Sequence, residues 1–292
     1  MIMNGTKTYQ VPKTPIGSNF YISVNSKSVN SFNTNLKIRA ESIQSWLCVG
    51  LDISSESLGS SSLDDLKGHA KKVVDSTRDL AAAYKPNFAF FERWGSKGFQ
   101  WLEEIIDYIG DGPILIADAK RGDIGSTAKQ YSKSIFDHFG FDAVTLNPYL
   151  GRDSIEPFLD RAEKGVFILC RTSNPSSGEF QNHQYDGQAL YEKVAAWAGA
   201  LNDKDNVGLV AGATAPEELT RIREIVPNLS LLIPGVGAQG GDLEHSVRVG
   251  NQSGVGIINV SRGICFAGDH STSAIRSTAE SYVSQMKTVL HG

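Results

Sequence analysis

From Trp46 to the C-terminus the chain repeats one unit, a short apolar run followed by a longer amphipathic stretch. The apolar runs are Trp46–Asp52, Ala83–Phe91, Pro113–Lys120, Ala143–Tyr149, Gly165–Thr172, Val207–Thr214, Ser230–Val236 and Gly256–Arg262. The stretches between them read as helices, for example Leu63–Ala82, Gly98–Ile109, Ile124–Phe139, Gln188–Leu201 and Ala215–Ile225, with a last helix near Ser271–Leu290. Strand patterns alternating with helix patterns predict βαβ units and a parallel sheet. Eight units over about 245 residues match the size of a (β/α)8 barrel. The expected fold class is therefore α/β, a single TIM barrel over residues 46–292 with an N-terminal extension over residues 1–45 and no second domain. A doubly wound open sheet is the alternative. The count of eight, and polar residues at nearly every strand end, favour the barrel.

The net charge of −4 and the absence of a Lys/Arg cluster give no reason to expect nucleic acid. An anionic small substrate would have to be met by a local basic site. No apolar run is long enough to span a membrane. Cys48, Cys170 and Cys265 are widely spaced and odd in number. They read as buried thiols in a reducing, cytoplasmic setting. The histidines are scattered, without HxxxH or CxxC spacing, so no metal site is expected. Residues 1–40 lack Asp and Glu and are rich in Ser and Asn. That composition partly resembles an organelle transit peptide, so organelle targeting stays open beside a plain extension.

In a barrel of this type chemistry sits where strands end and βα loops begin. Strand one ends in Asp52, strand two carries Lys85, and strand three ends Asp118-Ala119-Lys120-Arg121-Gly122-Asp123. Strand side chains alternate, so Asp118 and Lys120 share a face. Singly, Asp52 reads as a cap and Lys85 as an edge lysine. Together, two lysines and three aspartates would converge on one rim. Strand four ends Asn147-Pro148-Tyr149-Leu150-Gly151, strand five Arg171-Thr172-Ser173-Asn174-Pro175, and strand eight Ser261-Arg262-Gly263. The polar loop 173–187 is long for a barrel connection, which favours a functional role.

Gly235–Gly240, after strand seven, matches GxGxxG. A dinucleotide fingerprint should open the first βαβ unit and be followed by an acid at the end of the next strand. Here the next strand ends in Asn259 and Arg262. A phosphate cradle fits better, with glycines admitting backbone N–H groups, Gln239 donating its amide and Arg262 clamping.

Asp118-x-Lys120-x-x-Asp123 followed by Ile-Gly-Ser-Thr resembles the signature of the orotidine 5′-phosphate decarboxylase family. The similarity extends to Cys48–Asp52, Tyr84–Asn87, Asn147–Gly151, Pro234–Gly241 and Ser261–Gly263. The segment 90–95 resembles that of the longer bacterial-type branch. The resemblance implies a barrel that is active as a homodimer with shared sites, uses neither metal nor organic cofactor, and converts orotidine 5′-phosphate to UMP and CO2. It implies Lys120 as proton donor to C6, with Asp118 beside it facing the substrate carboxylate. Asp123 and Thr127 would reach the neighbouring subunit's site. Asp52 and Lys85 would bind ribose, Ser173 the pyrimidine, and Gln239 and Arg262 the phosphate, with Pro234 also lining the substrate site.

The residue chemistry supports these roles. Loss of CO2 from C6 leaves an in-plane carbanion with no adjacent carbonyl, so the site must stabilise charge and deliver a proton. An ammonium does both, and flanking carboxylates keep it charged. Hexulose phosphate synthase and keto-sugar phosphate decarboxylases resemble this chain but carry Glu in place of Asp118 and require Mg2+. A Schiff-base aldolase would need a neutral lysine, which the aspartates oppose. A non-catalytic nucleotide-binding barrel would show a degraded motif, and none is visible. No phosphoribosyltransferase signature is present, so the decarboxylation would stand alone.

Overall fold

The computed structural model describes residues 30–237 and 239–292. The transit-peptide-like stretch lies outside the described residues, apart from its last part. Eight parallel strands close into a barrel in chain order: β1 (Leu47–Leu51), β2 (Ala83–Pro86), β3 (Ile114–Arg121), β4 (Ala143–Leu146), β5 (Gly165–Arg171), β6 (Val207–Ala211), β7 (Ser230–Pro234) and β8 (Gly256–Val260). Closure is made by β1 against β8, with Leu47 opposite Ile258 and Val49 opposite Val260. β1, β2, β4, β6 and β8 are buried along their whole length. Helices on one side and the barrel interior on the other leave no solvent face, which is why these runs are continuously apolar rather than alternating.

Residues 32–43, read from sequence as extension, form α1 (Phe32–Ile43), capped by the Ser31 side chain. Phe32, Leu36 and Ala40 recur every fourth residue, share one face and are buried. The Phe32 ring meets Phe167 edge-on at 5.8 Å and lies over Gly165, where an added Cβ would fall 2.2 Å from the ring. Asn33 donates to Val207 O and accepts from Ser230 Oγ. α1 thus plugs the end of the barrel where β5, β6 and β7 begin, opposite the catalytic rim.

Several expected strands are shorter than read. The run from Ala83 stops at Pro86, because proline has no N–H to continue the ladder. Asn87 then caps a short helix, Phe88–Glu92, by accepting from Ala89 N. Likewise β4 stops at Leu146, where Asn147 accepts from Tyr149 N and Pro148 opens a 3-10 turn. The outer helices include α2 (Leu63–Thr77), α3 (Ser96–Ile109), α4 (Gly125–Lys133), α5 (Leu190–Ala200), α6 (Pro216–Ile225), α7 (Leu243–Gly250) and α8 (Thr272–His291). α4 widens into a π turn at Ser134–His138. The loop after β5 has structure of its own, with helical turns at 175–181 and a hairpin pairing Gln184–Tyr185 with Gln188–Ala189. Its turn residues Asp186 and Gly187 both have positive φ, the twist that two-residue hairpins require.

Candidate active site

Asp118 is the hub of the barrel mouth. Its Oδ2 accepts from Lys85 Nζ at 2.6 Å and its Oδ1 from Lys120 Nζ at 2.6 Å. Thr145 Oγ1, from β4, donates to the same Oδ1 at 3.1 Å and accepts from Lys120 N at 2.9 Å. Asp118 and Lys85 are buried, whereas the Lys120 side chain is half exposed and faces the open end. Lys120 has φ 45°, a left-handed backbone that a non-glycine residue adopts only under constraint. The β3–β4 register shifts between Ala117 and Arg121, so the Asp118–Lys120 step is a bulge that re-aims the lysine. Thr145 is a site residue that sequence reading missed. Its only signal is a hydroxyl inside the otherwise apolar run Ala143–Leu146.

The electrostatics follow from this bracket. Burial pushes the Asp118 carboxyl up, but the Lys85 and Lys120 ammonium groups outweigh it and hold the group well below the usual carboxylate range. Burial pulls Lys85 down, and the Asp118 and Asp52 carboxylates overcome that and hold it above its ordinary value. Both partners therefore stay charged across the neutral range. A depressed carboxyl contributes stability that is fully present above its unfolded value, about 3.9, and is lost as pH falls through its folded value. The raised lysine contributes below about 10.4 and loses its contribution as pH rises through its folded value. Asp118→Asn leaves Lys85 buried without its main counter-charge, so it should destabilise the fold by about 3–5 kcal/mol at pH 7. That deficit should shrink as pH falls below about 3.9, because the unfolded parent then takes up a proton at this carboxyl while the folded parent still holds it ionised. Urea melts at pH 7 and pH 3 read both effects.

These residues line a cavity of about 460 Å3. Asp52, Ser173, Pro234, Gln239 and Arg262 line it too, together with Thr145, Asn259 and Ser261. Asp52 Oδ1 and Ser261 Oγ are buried in its wall without a hydrogen-bond partner among the described residues. Gly235 and Gly237 have positive φ, and a Cβ on Gly235 would come within 2.9 Å of Gln239 Oε1. The turn after β7 therefore needs glycine to keep Gln239 at the rim. Arg171, also at a strand end, turns away from the mouth to pair with Glu218 and holds the loop after β5 through Thr172 O and Ser177 Oγ. Asp123 and Thr127 do not line the cavity. Asp123 Oδ1 accepts from Ile124 N, and Thr127 is exposed on α4.

The three cysteines are free and buried. Burial pushes the Cys48 thiol up to about 12, so it is no nucleophile at neutral pH. Among the described residues no three His, Cys, Asp or Glu side chains gather into a metal-holding group. No helix among them is long and apolar enough to cross a membrane.

Fold and site define a (β/α)8 barrel enzyme whose mouth sets two ammonium groups and a buried carboxylate across from a glycine-rich loop and an arginine. A family model described as orotidine 5′-phosphate decarboxylase / HUMPS family matches residues 45–276, and the chain belongs to that family. The orotidine 5′-phosphate decarboxylase of Halorubrum lacusprofundi is 50% identical over 254 residues, covering 83% of this chain and 90% of its own. That of Roseiflexus castenholzii is 47% identical over 259 residues, covering 85% and 94%. Among solved structures, Leishmania donovani OMP decarboxylase superposes with a TM-score of 0.80 at 38% identity, covering 90% of this chain and 99% of that one. Leishmania donovani UMP synthase gives 0.82 at 41% identity over 89% of this chain, which spans 57% of that longer protein.

Proposed function

We propose that this barrel decarboxylates orotidine 5′-phosphate to UMP and CO2, the last step of UMP biosynthesis, with Lys120 as the proton donor. The observation that carries the reading is the Lys85–Asp118–Lys120 bracket facing a glycine-rich loop across one cavity. The C6–carboxylate bond breaks and its electron pair stays on C6. A proton then moves from Lys120 Nζ to C6, and the half-exposed lysine regains it from water. Asp118 holds Lys120 charged and aimed, and its own negative charge lies beside the substrate carboxylate. Asp52 and Lys85 take the ribose hydroxyls, Ser173 the pyrimidine, and Gln239 and Arg262 the phosphate, with Pro234 closing the wall between them. The non-reacting phosphate supplies binding energy that holds the loops over the ring. Neither metal nor organic cofactor takes part.

Asp123 and Thr127 act in the site of a second subunit. Both lie outside their own cavity, and exposed apolar side chains stand at the same strand ends, Ile124 next to Asp123 in the chain and Tyr149 and Leu150 in the turn after β4. Such a patch beside an incomplete site fits a homodimer interface. The buried free thiols support a reducing, cytoplasmic address.

The family description also covers HUMPS enzymes, and the sugar-phosphate enzymes weighed above as alternatives are expected to need Mg2+ and a Glu where this chain has Asp118. Here both Asp118 oxygens accept from ammonium groups, which favours the metal-free decarboxylation. The expected result is loss of orotidine 5′-phosphate ultraviolet absorbance at an undiminished rate in excess EDTA. No change at micromolar enzyme would sink the reading.

A further inference from the structure

Arg121 directly follows Lys120, yet it does not line the cavity. Its guanidinium lies between two rings, 5.2 Å from the centroid of Phe88 and 5.0 Å from that of Tyr131. Nη2 donates to Glu92 Oε1 at 2.7 Å, and the side chain is only 23% exposed. Phe88 and Glu92 belong to the short helix after β2, the segment that no substrate contact uses, while Tyr131 lies on α4. The backbone of Arg121 is tied as well. Its carbonyl accepts from Asn147 N at 2.8 Å, and the β3–β4 ladder, broken after Ala117, resumes with Arg121 opposite Leu146. One residue therefore joins the helix after β2, the end of β3, the end of β4 and α4.

The step it anchors is the constrained one. Lys120 sits in the left-handed region inside a bulge, a conformation that persists only where the surroundings over-determine it. Thr145 holds the lysine N–H on the cavity side. On the outer side the fixing is done by Arg121. Glu92 neutralises the guanidinium, so the contribution to the site is geometric rather than a matter of field.

We infer that Arg121, clamped by Phe88, Tyr131 and Glu92, is a positioning residue that fixes the bulge carrying Lys120 and so sets the aim of its ammonium. The inference rests on Lys120 being the proton donor, and Lys120→Ala, run alongside, tests that reading by itself.

The test is steady-state decarboxylation, UMP affinity and melting temperature for Arg121→Ala, Arg121→Lys and parent. Misplacing a catalytic group by about an ångström costs about 100-fold, so Arg121→Ala should lose kcat on that order. UMP affinity should stay within about threefold, the split expected when only transition-state geometry is lost. Arg121→Lys should recover part of the rate, because an ammonium pairs with Glu92 but cannot lie flat between two rings. Millimolar guanidinium ion should restore part of the Arg121→Ala rate without shifting its melting temperature, which a merely structural role does not predict. Folded Arg121→Ala with kcat within about twofold of parent overturns the inference. So does a fall in UMP affinity that matches the fall in kcat. If Arg121→Ala does not fold, Arg121→Lys carries the test, and a parental kcat there overturns it.

Discussion

Lys120→Ala should decarboxylate orotidine 5′-phosphate at least about 10^4-fold more slowly than the parent, combining loss of a general acid with loss of an electrostatic stabiliser. The variant should still fold and still bind UMP. The Lys120 side chain is half exposed, and Asp118 keeps its buried partner Lys85, so no buried charge is stranded. Gln239 and Arg262, which we propose hold the phosphate, line the same cavity and are left unchanged by the substitution. Absorbance-monitored turnover, calorimetric UMP binding and a thermal melt measure the three parts. A near-parental rate would mean that the proton donor is misassigned.

The second large effect is complementation. Asp123→Ala should be nearly inactive even though Asp123 does not line the cavity of its own subunit. Mixed with Lys120→Ala under conditions of subunit exchange, it should regain roughly a quarter of parental activity, because half the two-fold dimers are hybrids and each hybrid has one intact site. Mass spectrometry of differently tagged subunits would establish exchange. If hybrids form and remain inactive, the shared site is wrong, and Asp123 acts through the local hydrogen bond to Ile124 N instead.

Much of the architecture was legible because its causes are local. Eight apolar runs separated by amphipathic stretches fix a βαβ repeat, and strand alternation puts Asp118 and Lys120 on one face. Where runs were read too long, as at Ala83–Phe91 and Ala143–Tyr149, the stop came from Pro86 with the Asn87 cap and from Asn147 with Pro148. A short apolar run looks alike in a strand and in a buried helix, so periodicity could not separate Phe88–Glu92 from the strand before it. α1 was missed for another reason: its narrow buried stripe sits in a polar, Ser- and Asn-rich neighbourhood, so residues 1–45 read as a plain extension.

The site divides in the same way. Lys85, Lys120, Asp52, Asp118, the glycine-rich turn and Arg262 stand out by residue type at the ends of recognisable strands, and the sequence by itself was enough to expect them on one rim, whereas Asp123, expected with them, does not line the cavity. Only the tertiary structure decided how they meet. Thr145 between Asp118 and the Lys120 N–H, the left-handed bulge at Lys120, Arg171 turned outward to Glu218 and Arg121 held between Phe88 and Tyr131 all depend on contacts between residues distant in the chain. Side-chain periodicity records which face a residue takes. Which neighbour it finds there is set by strand register and loop path, and these exist only once the barrel closes.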